Sequence, residues 1–256
     1  LVVGGSAYYG HSGQDLKSEA TGAEPQVPTL IFEGHATLDV AGLHLPAGRL
    51  IALLVAAAAL SVVAVFLFPR HLEGPRRAGA ATVTILAAAL VLRAAALPFP
   101  ASDDVNRYLW EGRLVTEGLS PYTHPAVREG SGPDDGADHL REGAIWRGIN
   151  HPEMTAIYPP LAHLLLAGIA ATAYAPFAVK VVMAAADLLA VFLLVGIIAR
   201  GRALSPRWAL LYALSPVPIF AFAGEGHLDA LQVVTLLGAV RLFQLRRFKS
   251  VWLLLG

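Results

Sequence analysis

The sequence Ser-Asp-Asp-Val-Asn-Arg-Tyr at residues 102–108 opens a polar segment, residues 98–160, that lies between hydrophobic runs. Ser102 is a favourable N-cap residue, and the apolar residues that follow it recur at helical spacing. The pattern predicts an amphipathic helix over residues 103–117 that lies along a membrane surface. A second short helix is predicted over residues 139–149, so the polar segment forms a loop that carries surface helices.

Hydrophobic runs on both sides of this segment predict the fold class. The chain of 256 residues is 55% hydrophobic and 15% charged, whereas soluble domains carry about 25% charged residues. A helix needs roughly 20 apolar residues to cross about 30 Å of hydrocarbon. The sequence therefore predicts an all-α, polytopic integral membrane protein with runs at residues 50–68, 78–97, 161–174, 176–199, 208–223 and 233–245.

The chain divides into two parts. Residues 1–49 form a polar N-terminal segment, in which residues 29–40 are compatible with a short strand or an interfacial stretch. Residues 50–256 form a partial transmembrane domain with residues 98–160 as its outer loop. Because the chain starts on Leu1 and ends within an apolar run, we expect it to be a piece of a longer protein.

Charge and cysteine content exclude several kinds of function. The formal net charge is zero, so no basic excess favours nucleic acid as a partner. The chain has no cysteine, which excludes disulfide bonds and thiolate chemistry within it. The histidines match no zinc-binding signature.

The distribution of basic residues predicts an orientation in the membrane. The basic loops around Arg70 and Arg246 contain little acid and are predicted to be cytoplasmic, which places the outer loop on the extracytoplasmic face. If the run at 161–174 crosses the membrane fully, the basic loop after the run at 176–199 falls on the extracytoplasmic face, against the rule that basic loops are cytoplasmic. If that run stays shallow, the loop returns to the cytoplasm and residues 224–229, Gly-Glu-Gly-His-Leu-Asp, lie beside Asp103. We favour the shallow arrangement.

Charged residues within the hydrophobic runs allow a second reading of the function. Arg93 lies close to the end of its run and is predicted to snorkel to the interface. Asp187 is near the middle of a run, with Lys180 on about the same helical face as a structural partner. Pro216 and Pro218 predict a broken helix. A membrane transporter or lipid flippase that uses Asp187 and this broken helix is therefore the alternative function.

Asp103 and Asp104 are the strongest functional candidates, although acids in a first helical turn are also favoured by the helix dipole. They follow a hydrophobic helix at the predicted extracytoplasmic boundary, where a lipid-borne substrate would arrive. Arg107, Tyr108 and Arg113 follow them. Arginine pairs with phosphate in two-point geometry, and an aromatic ring can stack on a sugar.

Several motifs carry a resemblance to a known family. They are residues 102–113, Ser-Asp-Asp-Val-Asn-Arg-Tyr-Leu-Trp-Glu-Gly-Arg, then Ser-Pro-Tyr at 120–122, Ile-Asn-His-Pro-Glu at 149–153 and Ile-Tyr-Pro-Pro at 157–160. This set resembles the bacterial integral-membrane glycosyltransferases of the GT-C superfamily, and above all the polyprenol-phosphomannose-dependent mannosyltransferases. Residues 224–229 fall where such proteins often have a Gly-His-Asn-Asp-type turn, although Leu228 departs from that pattern.

The resemblance implies a multi-helix membrane fold with an acidic motif in the first outer loop. It also implies a sugar donor bound to a lipid phosphate. The function that follows is transfer of a sugar, mannose by this likeness, from a polyprenyl-phosphate donor to an extracytoplasmic glycan or lipid acceptor. The expected location is the cell membrane, with membrane lipids around the helices.

Roles can be assigned to residues on this basis. Asp103 or Asp104 is expected to be the general base or the holder of a divalent metal ion, in either order. Arg107 and Arg113, or that metal ion, are candidates for stabilising the departing phosphate. The remaining expected substrate contacts are polar or aromatic side chains: Tyr108, His151, Tyr158, His227 and Asp229.

Overall fold

The structure is a computed structural model of the chain and describes residues 37–40, 43–72, 77–127, 136–201 and 204–255. The expectations for residues 1–36 lie outside this range. Thr37–Val40 (β1) pairs with Leu43–Pro46 (β2) in an antiparallel two-stranded sheet. This hairpin directly precedes the first helix.

Helices dominate the described residues, which confirms the predicted helical class. The α-helices are α1 (Ala47–Leu67), α2 (Ala78–Ala96), α3 (Asp104–Thr116), α4 (Gly143–Arg147), α5 (Pro160–Thr172), α6 (Pro176–Gly201), α7 (Leu210–Ala213), α8 (Pro216–Pro218), α9 (Asp229–Gln244) and α10 (Phe248–Leu255). Short 3₁₀ helices at Arg70–Leu72, Asp138–Leu140 and Pro206–Ala209 and a π-helix at Ile219–Glu225 complete the set. The helix predicted over 103–117 is α3, and its position along a membrane surface stays a prediction.

Two of these helices, α2 and α6, are long and apolar enough to cross a membrane. The segment from Pro206 to Glu225 is a third candidate, bent by 47° between α7 and α8 where Pro216 and Pro218 interrupt the helix. The run predicted over 161–174 forms α5, which has 13 residues and is therefore only about 20 Å long. The chain is a helical membrane protein.

Contacts at the two ends of α6 fix the directions of its neighbours. Near its start, the Lys180 ammonium donates to the carbonyl of Leu97, just past the end of α2, at 2.6 Å. Near its other end, Arg200 Nε donates to the carbonyl of Gln244, the last residue of α9, at 3.2 Å. Helix α2 therefore runs antiparallel to α6, and α9 runs parallel to it.

The prediction that Arg93 snorkels to the interface is wrong. Its side chain is 1% exposed, and Nη2 lies 2.8 Å from Oδ2 of Asp187, which is 0% exposed. Arg93 Nη1 also donates to the carbonyl of Ala213, and the Tyr212 hydroxyl donates to Asp187 Oδ1 at 2.7 Å. Arg93 stays inside because a buried carboxylate and a carbonyl at the helix break face it, and both would be costly without a donor.

The prediction that Lys180 partners Asp187 is also wrong. Seven residues separate the two along α6, so they lie about 10 Å apart along its axis. The Lys180 ammonium turns instead to the carbonyls of Leu97 and Phe99 beyond the end of α2. Carbonyls at a helix C-terminus have no intrahelical donor, so an ammonium group stabilises them.

This geometry predicts how the buried ion pair responds to substitution. Asp187→Leu should lower the free energy of unfolding by about 3–5 kcal/mol because Arg93 is then buried without its carboxylate. The matched double variant Arg93→Met/Asp187→Leu should regain most of that loss, since neither charge is left unpaired. Equilibrium unfolding in mixed detergent micelles measures both values. Equal destabilisation of the single and double variants would contradict the prediction.

Candidate active site

The two predicted acids lie at the start of α3 and share one donor. Asn150 Nδ2 donates to Asp103 Oδ2 at 3.1 Å and to Asp104 Oδ1 at 3.3 Å. The Ser102 hydroxyl donates to Asp103 Oδ1 at 3.3 Å. Asp104 Oδ2 makes no hydrogen bond to the described part of the chain, and the Asp104 side chain is 37% exposed. The pair is thus held in place while one carboxylate oxygen stays available.

The turn at residues 225–229 lies against the acid pair, as the favoured arrangement of the sequence predicts. The Ser102 amide donates to the carbonyl of Glu225 at 3.0 Å. His227 Nδ1 is 3.6 Å from Asp104 Oδ2, and Nε2 is 3.0 Å from Glu225 Oε2. Gly226 has a φ of 87°, which a side chain would disfavour, and its missing Cβ leaves room for Val105 and Lys180. This turn places an imidazole between two carboxylates.

Two tyrosines lie beside the acids. The hydroxyls of Tyr108 and Tyr158 are 3.1 Å apart, and their rings meet edge to face with centroids 5.5 Å apart. Burial and the Tyr158 hydroxyl raise the pKa of Tyr108 well above its ordinary value, and Asp104 adds to this. Burial also raises the pKa of Tyr158, with contributions from the carboxylates of Asp104 and Asp229. Both phenols are therefore neutral donors at physiological pH.

Arg107 is hydrogen-bonded to the loop that carries Asn150. Its Nη1 donates to the carbonyl of Met154 at 2.9 Å, and Nη2 donates to the carbonyls of His151, at 2.6 Å, and Asn150. Nη1 also lies 3.8 Å from Oε1 of the buried Glu111. Arg107 thus links α3 to this loop through three backbone acceptors.

Glu111 belongs to a buried pair that the sequence did not single out. Its Oε2 lies 3.7 Å from Nδ1 of His163 on α5, and both side chains are at most 3% exposed. Glu111 Oε2 and both His163 nitrogens lack a hydrogen-bond partner within the described residues. Burial raises the pKa of Glu111 from 4.5 to about 7, and Arg107 offsets part of that rise.

Helices α3 and α5 come close enough for this pair because of one glycine. A Cβ on Gly112 would lie 2.5 Å from the carbonyl oxygen of Leu166, so only glycine allows this approach. The spacing of Asp104, Arg107 and Glu111, at intervals of three and four residues, puts them along one side of α3. That spacing is the signal from which Glu111 could have been predicted.

Three other predicted site residues have no described contact with the acid pair: Arg113, His151 and Asp229. The Arg113 guanidinium lies 5.4 Å from the centre of the Tyr174 ring and, nine residues after Asp104, is about 14 Å along the helix axis from it. His151 has a side chain 71% exposed and a φ of 46°, with Nδ1 3.6 Å from the carboxylate of the exposed Glu153. Asp229 is exposed at the start of α9. Their expected roles stay predictions.

A metal ion was expected as an option at Asp103 or Asp104. Across residues 37–40, 43–72, 77–127, 136–201 and 204–255, no three His, Cys, Asp or Glu side chains converge in a way that could hold a metal. Asn150 faces the acid pair with an amide nitrogen, which is a donor and repels a cation. This donor set does not fit a metal, and we derive no step through one.

The fold and the site together define a class of protein. Helices long and apolar enough to cross a membrane end beside paired carboxylates, an imidazole and neutral phenols. This set is suited to proton transfer on hydroxyl-bearing substrates. Residues 17–256 match the family described as alpha-(1->6)-mannopyranosyltransferase, N-terminal domain, of the MptA_B type. The chain belongs to this family, whose members are glycosyltransferases of the GT-C type. No curated protein and no solved structure matches the chain.

The buried Glu111 predicts a pH dependence of stability. Because its pKa rises from 4.5 in the unfolded chain to about 7 when folded, the unfolded state loses this proton first as pH rises. Stability from this group is therefore complete at acidic pH and is lost between about pH 4.5 and 7, by up to about 3 kcal/mol.

Glu111→Gln should remove this loss and be the more stable protein above pH 7. Thermal unfolding of both proteins in detergent, followed from pH 5 to pH 8, checks it, and the difference between the two curves isolates Glu111. Parallel curves over that range would contradict the raised pKa.

Proposed function

We propose that this domain transfers mannose from a polyprenyl-phosphate donor to an extracytoplasmic glycan or lipid acceptor, with one carboxylate of the Asp103–Asp104 pair as general base. Mannosyl transfer in general follows from the family. The observation that carries the finer proposal is the meeting of the acid pair, His227 and the two tyrosines at one end of the helices.

Asp104 is the better candidate for the base. Both oxygens of Asp103 accept hydrogen bonds, from Ser102 and Asn150, whereas Asp104 keeps Oδ2 available beside His227. A base must approach the acceptor hydroxyl within about 3 Å. His227, held between Asp104 and Glu225, can in turn take up or return the proton.

The transfer step forms one bond, breaks one bond and moves one proton. The acceptor hydroxyl gives its proton to the carboxylate, and its oxygen bonds to the anomeric carbon of the sugar. The bond between that carbon and the phosphate oxygen breaks, and the polyprenyl phosphate leaves with the electron pair. A phosphate is a good leaving group, so it needs stabilisation of charge and no added proton.

Tyr108 and Tyr158 are suited to hold the sugar hydroxyls. Their raised pKa values keep both phenols protonated. One hydroxyl donates to the other, which leaves the second proton for a sugar hydroxyl, and the rings offer apolar faces to a sugar. A direct phosphate contact by Arg107 or Arg113 requires each to exchange its present partners, the loop carbonyls or the Tyr174 ring.

The placement of basic residues supports an extracytoplasmic site. Helix α2 ends beside the acids, so Arg77 at its start lies at the opposite end of the helices. Arg200 contacts the end of α9, next to Arg246, and belongs to that same far end. Because clusters of Arg and Lys favour the cytoplasm, the acid pair would face the other side of the membrane.

The alternative of a transporter or flippase receives less support. It relied on Asp187 as a group available within the membrane. Asp187 is instead fully buried and bonded to Arg93 and Tyr212, so it has no oxygen left for a cargo. Helix breaks near Pro216 serve to deliver Glu225 and His227 to the acids.

Substitution of the acids tests the proposed base. Asp104→Asn should lower mannosyl transfer in membranes by about 10²–10⁴-fold, because the amide cannot accept the proton, and Asp103→Asn should lower it as well. Transfer from a radiolabelled polyprenyl-phosphate mannose donor by the full-length protein measures the effect. Glu117→Gln, at the exposed far end of α3, is the matched control and should keep wild-type activity.

Protein levels in the membrane must stay normal for the comparison to hold. Full activity of both the Asp103→Asn and the Asp104→Asn proteins would end the assignment of the base to this pair.

Residues 1–256 contain no cysteine, so single cysteines introduced there test the orientation directly once any cysteine elsewhere in the full-length protein is replaced by serine. Two exposed positions suit single cysteines. Thr155 follows the loop that Arg107 holds, and Leu245 lies beside the basic run after α9. A membrane-impermeant maleimide should label Thr155→Cys in intact cells and Leu245→Cys only after permeabilisation. The reverse pattern would place the acids in the cytoplasm and contradict the proposal.

A further inference from the structure

Asn150 occupies a position between the two acids that no other side chain shares within the described residues. Its Nδ2 lies 3.1 Å from Asp103 Oδ2 and 3.3 Å from Asp104 Oδ1. An amide nitrogen carries two hydrogens, so one group can donate to both carboxylates at once. Two adjacent carboxylates repel each other, and a shared donor reduces that repulsion and fixes the distance between them.

The turn that presents Asn150 does not hold its shape by its own sequence alone. His151 has a φ of 46°, a left-handed conformation that is uncommon for residues other than glycine. The only backbone hydrogen bond described within the turn runs from the Met154 amide to the His151 carbonyl, at 3.0 Å. Carbonyls of this turn point towards α3, where they need donors.

Arg107 supplies those donors. Its two terminal nitrogens bond to the carbonyls of Asn150, His151 and Met154, and the guanidinium is backed by Glu111 at 3.8 Å. The neighbouring Asn106 adds a bond from Nδ2 to the carbonyl of Gly148 at 3.2 Å. The helix that carries the acids thus also holds the loop that carries their donor.

We propose that Asn150 is a positioning residue for the Asp103–Asp104 pair, and that Arg107 sets its place by holding the turn at residues 150–154. The proposal rests on the proposed function of the two acids. Asn150 fixes the direction of the carboxylate that receives the acceptor proton, and Arg107 acts through Asn150. Arg107 is in this account an organiser of the loop, and its planar group spans acceptors that a lysine cannot reach together.

The first test is a pair of variants at Asn150 in the full-length protein. Asn150→Ala should lower kcat about 100-fold, the scale of a misplacement of about 1 Å, and change KM little. Asn150→Asp has the same shape but places a third carboxylate against the pair. It should be inactive at neutral pH. Its activity relative to wild type at the same pH should rise as pH falls, because a protonated carboxyl restores one of the two hydrogen bonds that the amide makes.

Glu153→Gln is the matched control. Glu153 lies on the same turn, its side chain is 67% exposed, and its described ion-pair contact is to the equally exposed His151. It should keep wild-type kcat and the wild-type pH profile. Retention of wild-type kcat by Asn150→Ala, or an Asn150→Asp activity that does not rise relative to wild type on acidification, overturns the positioning role.

The second test reads the turn without any activity measurement. Hydrogen–deuterium exchange of the peptide covering residues 148–156 should speed up at least tenfold in Arg107→Met and by a similar factor in Arg107→Lys. If Arg107 served only as a positive charge for phosphate, Arg107→Lys would keep much of the activity and both variants would leave the exchange unchanged. That outcome overturns the role of Arg107.

The two tests separate this inference from the proposed function. If the Asp103→Asn and Asp104→Asn proteins stay fully active, the catalytic role of the pair fails, and with it the positioning role, while faster exchange in Arg107→Met would still show that Arg107 holds the turn. If the acid variants are inactive and Asn150→Ala is not, only the inference fails.

Discussion

The ion pair between Arg93 and Asp187 is the constraint on which the arrangement of the helices depends. It joins α2 to α6 in a fully buried position, and through the Ala213 carbonyl it also joins both to the broken segment. A buried charge tolerates few geometries, because each lost bond leaves an unpaired group in a low-dielectric medium. The pair therefore fixes the relative positions of α2, α6 and the broken segment along their axes. The ends of these three segments form the site.

The site is built from helix ends and helix breaks, and their backbone groups are satisfied by one another. The Ser102 amide bonds to the carbonyl of Glu225 where α3 begins and the π-helix ends, and the His227 amide bonds to the carbonyl of Ala221. Irregular backbone at a membrane is tolerated where protein groups satisfy it. The same hydrogen bonds bring His227 to Asp104. The bonds that satisfy the irregular backbone therefore also place the side chains of the site.

Much of the fold could be predicted from the sequence, because periodic apolar residues and prolines act locally. The helix at residues 103–117, the break near Pro216 and the acid pair beside residues 224–229 follow from such signals. The partners of Arg93 and Lys180 could not, because spacing along one helix does not show which neighbour faces it. Asn150 was missed for the same reason, whereas the spacing of Glu111 from Asp104 and Arg107 along α3 was a signal that the prediction did not use.

The groups at the site divide the work of a transfer reaction between them. Asp104 is placed to accept a proton, while Tyr108 and Tyr158 stay protonated because their pKa values are raised. A substrate hydroxyl that contacts both the phenols and the carboxylate is oriented by the phenols and activated by the carboxylate. Correct placement of the reacting groups therefore supplies much of the rate enhancement. Such a site gains most from a rigid frame, and the bonds of Arg107 and Asn150 provide one at the point where two like charges would otherwise separate.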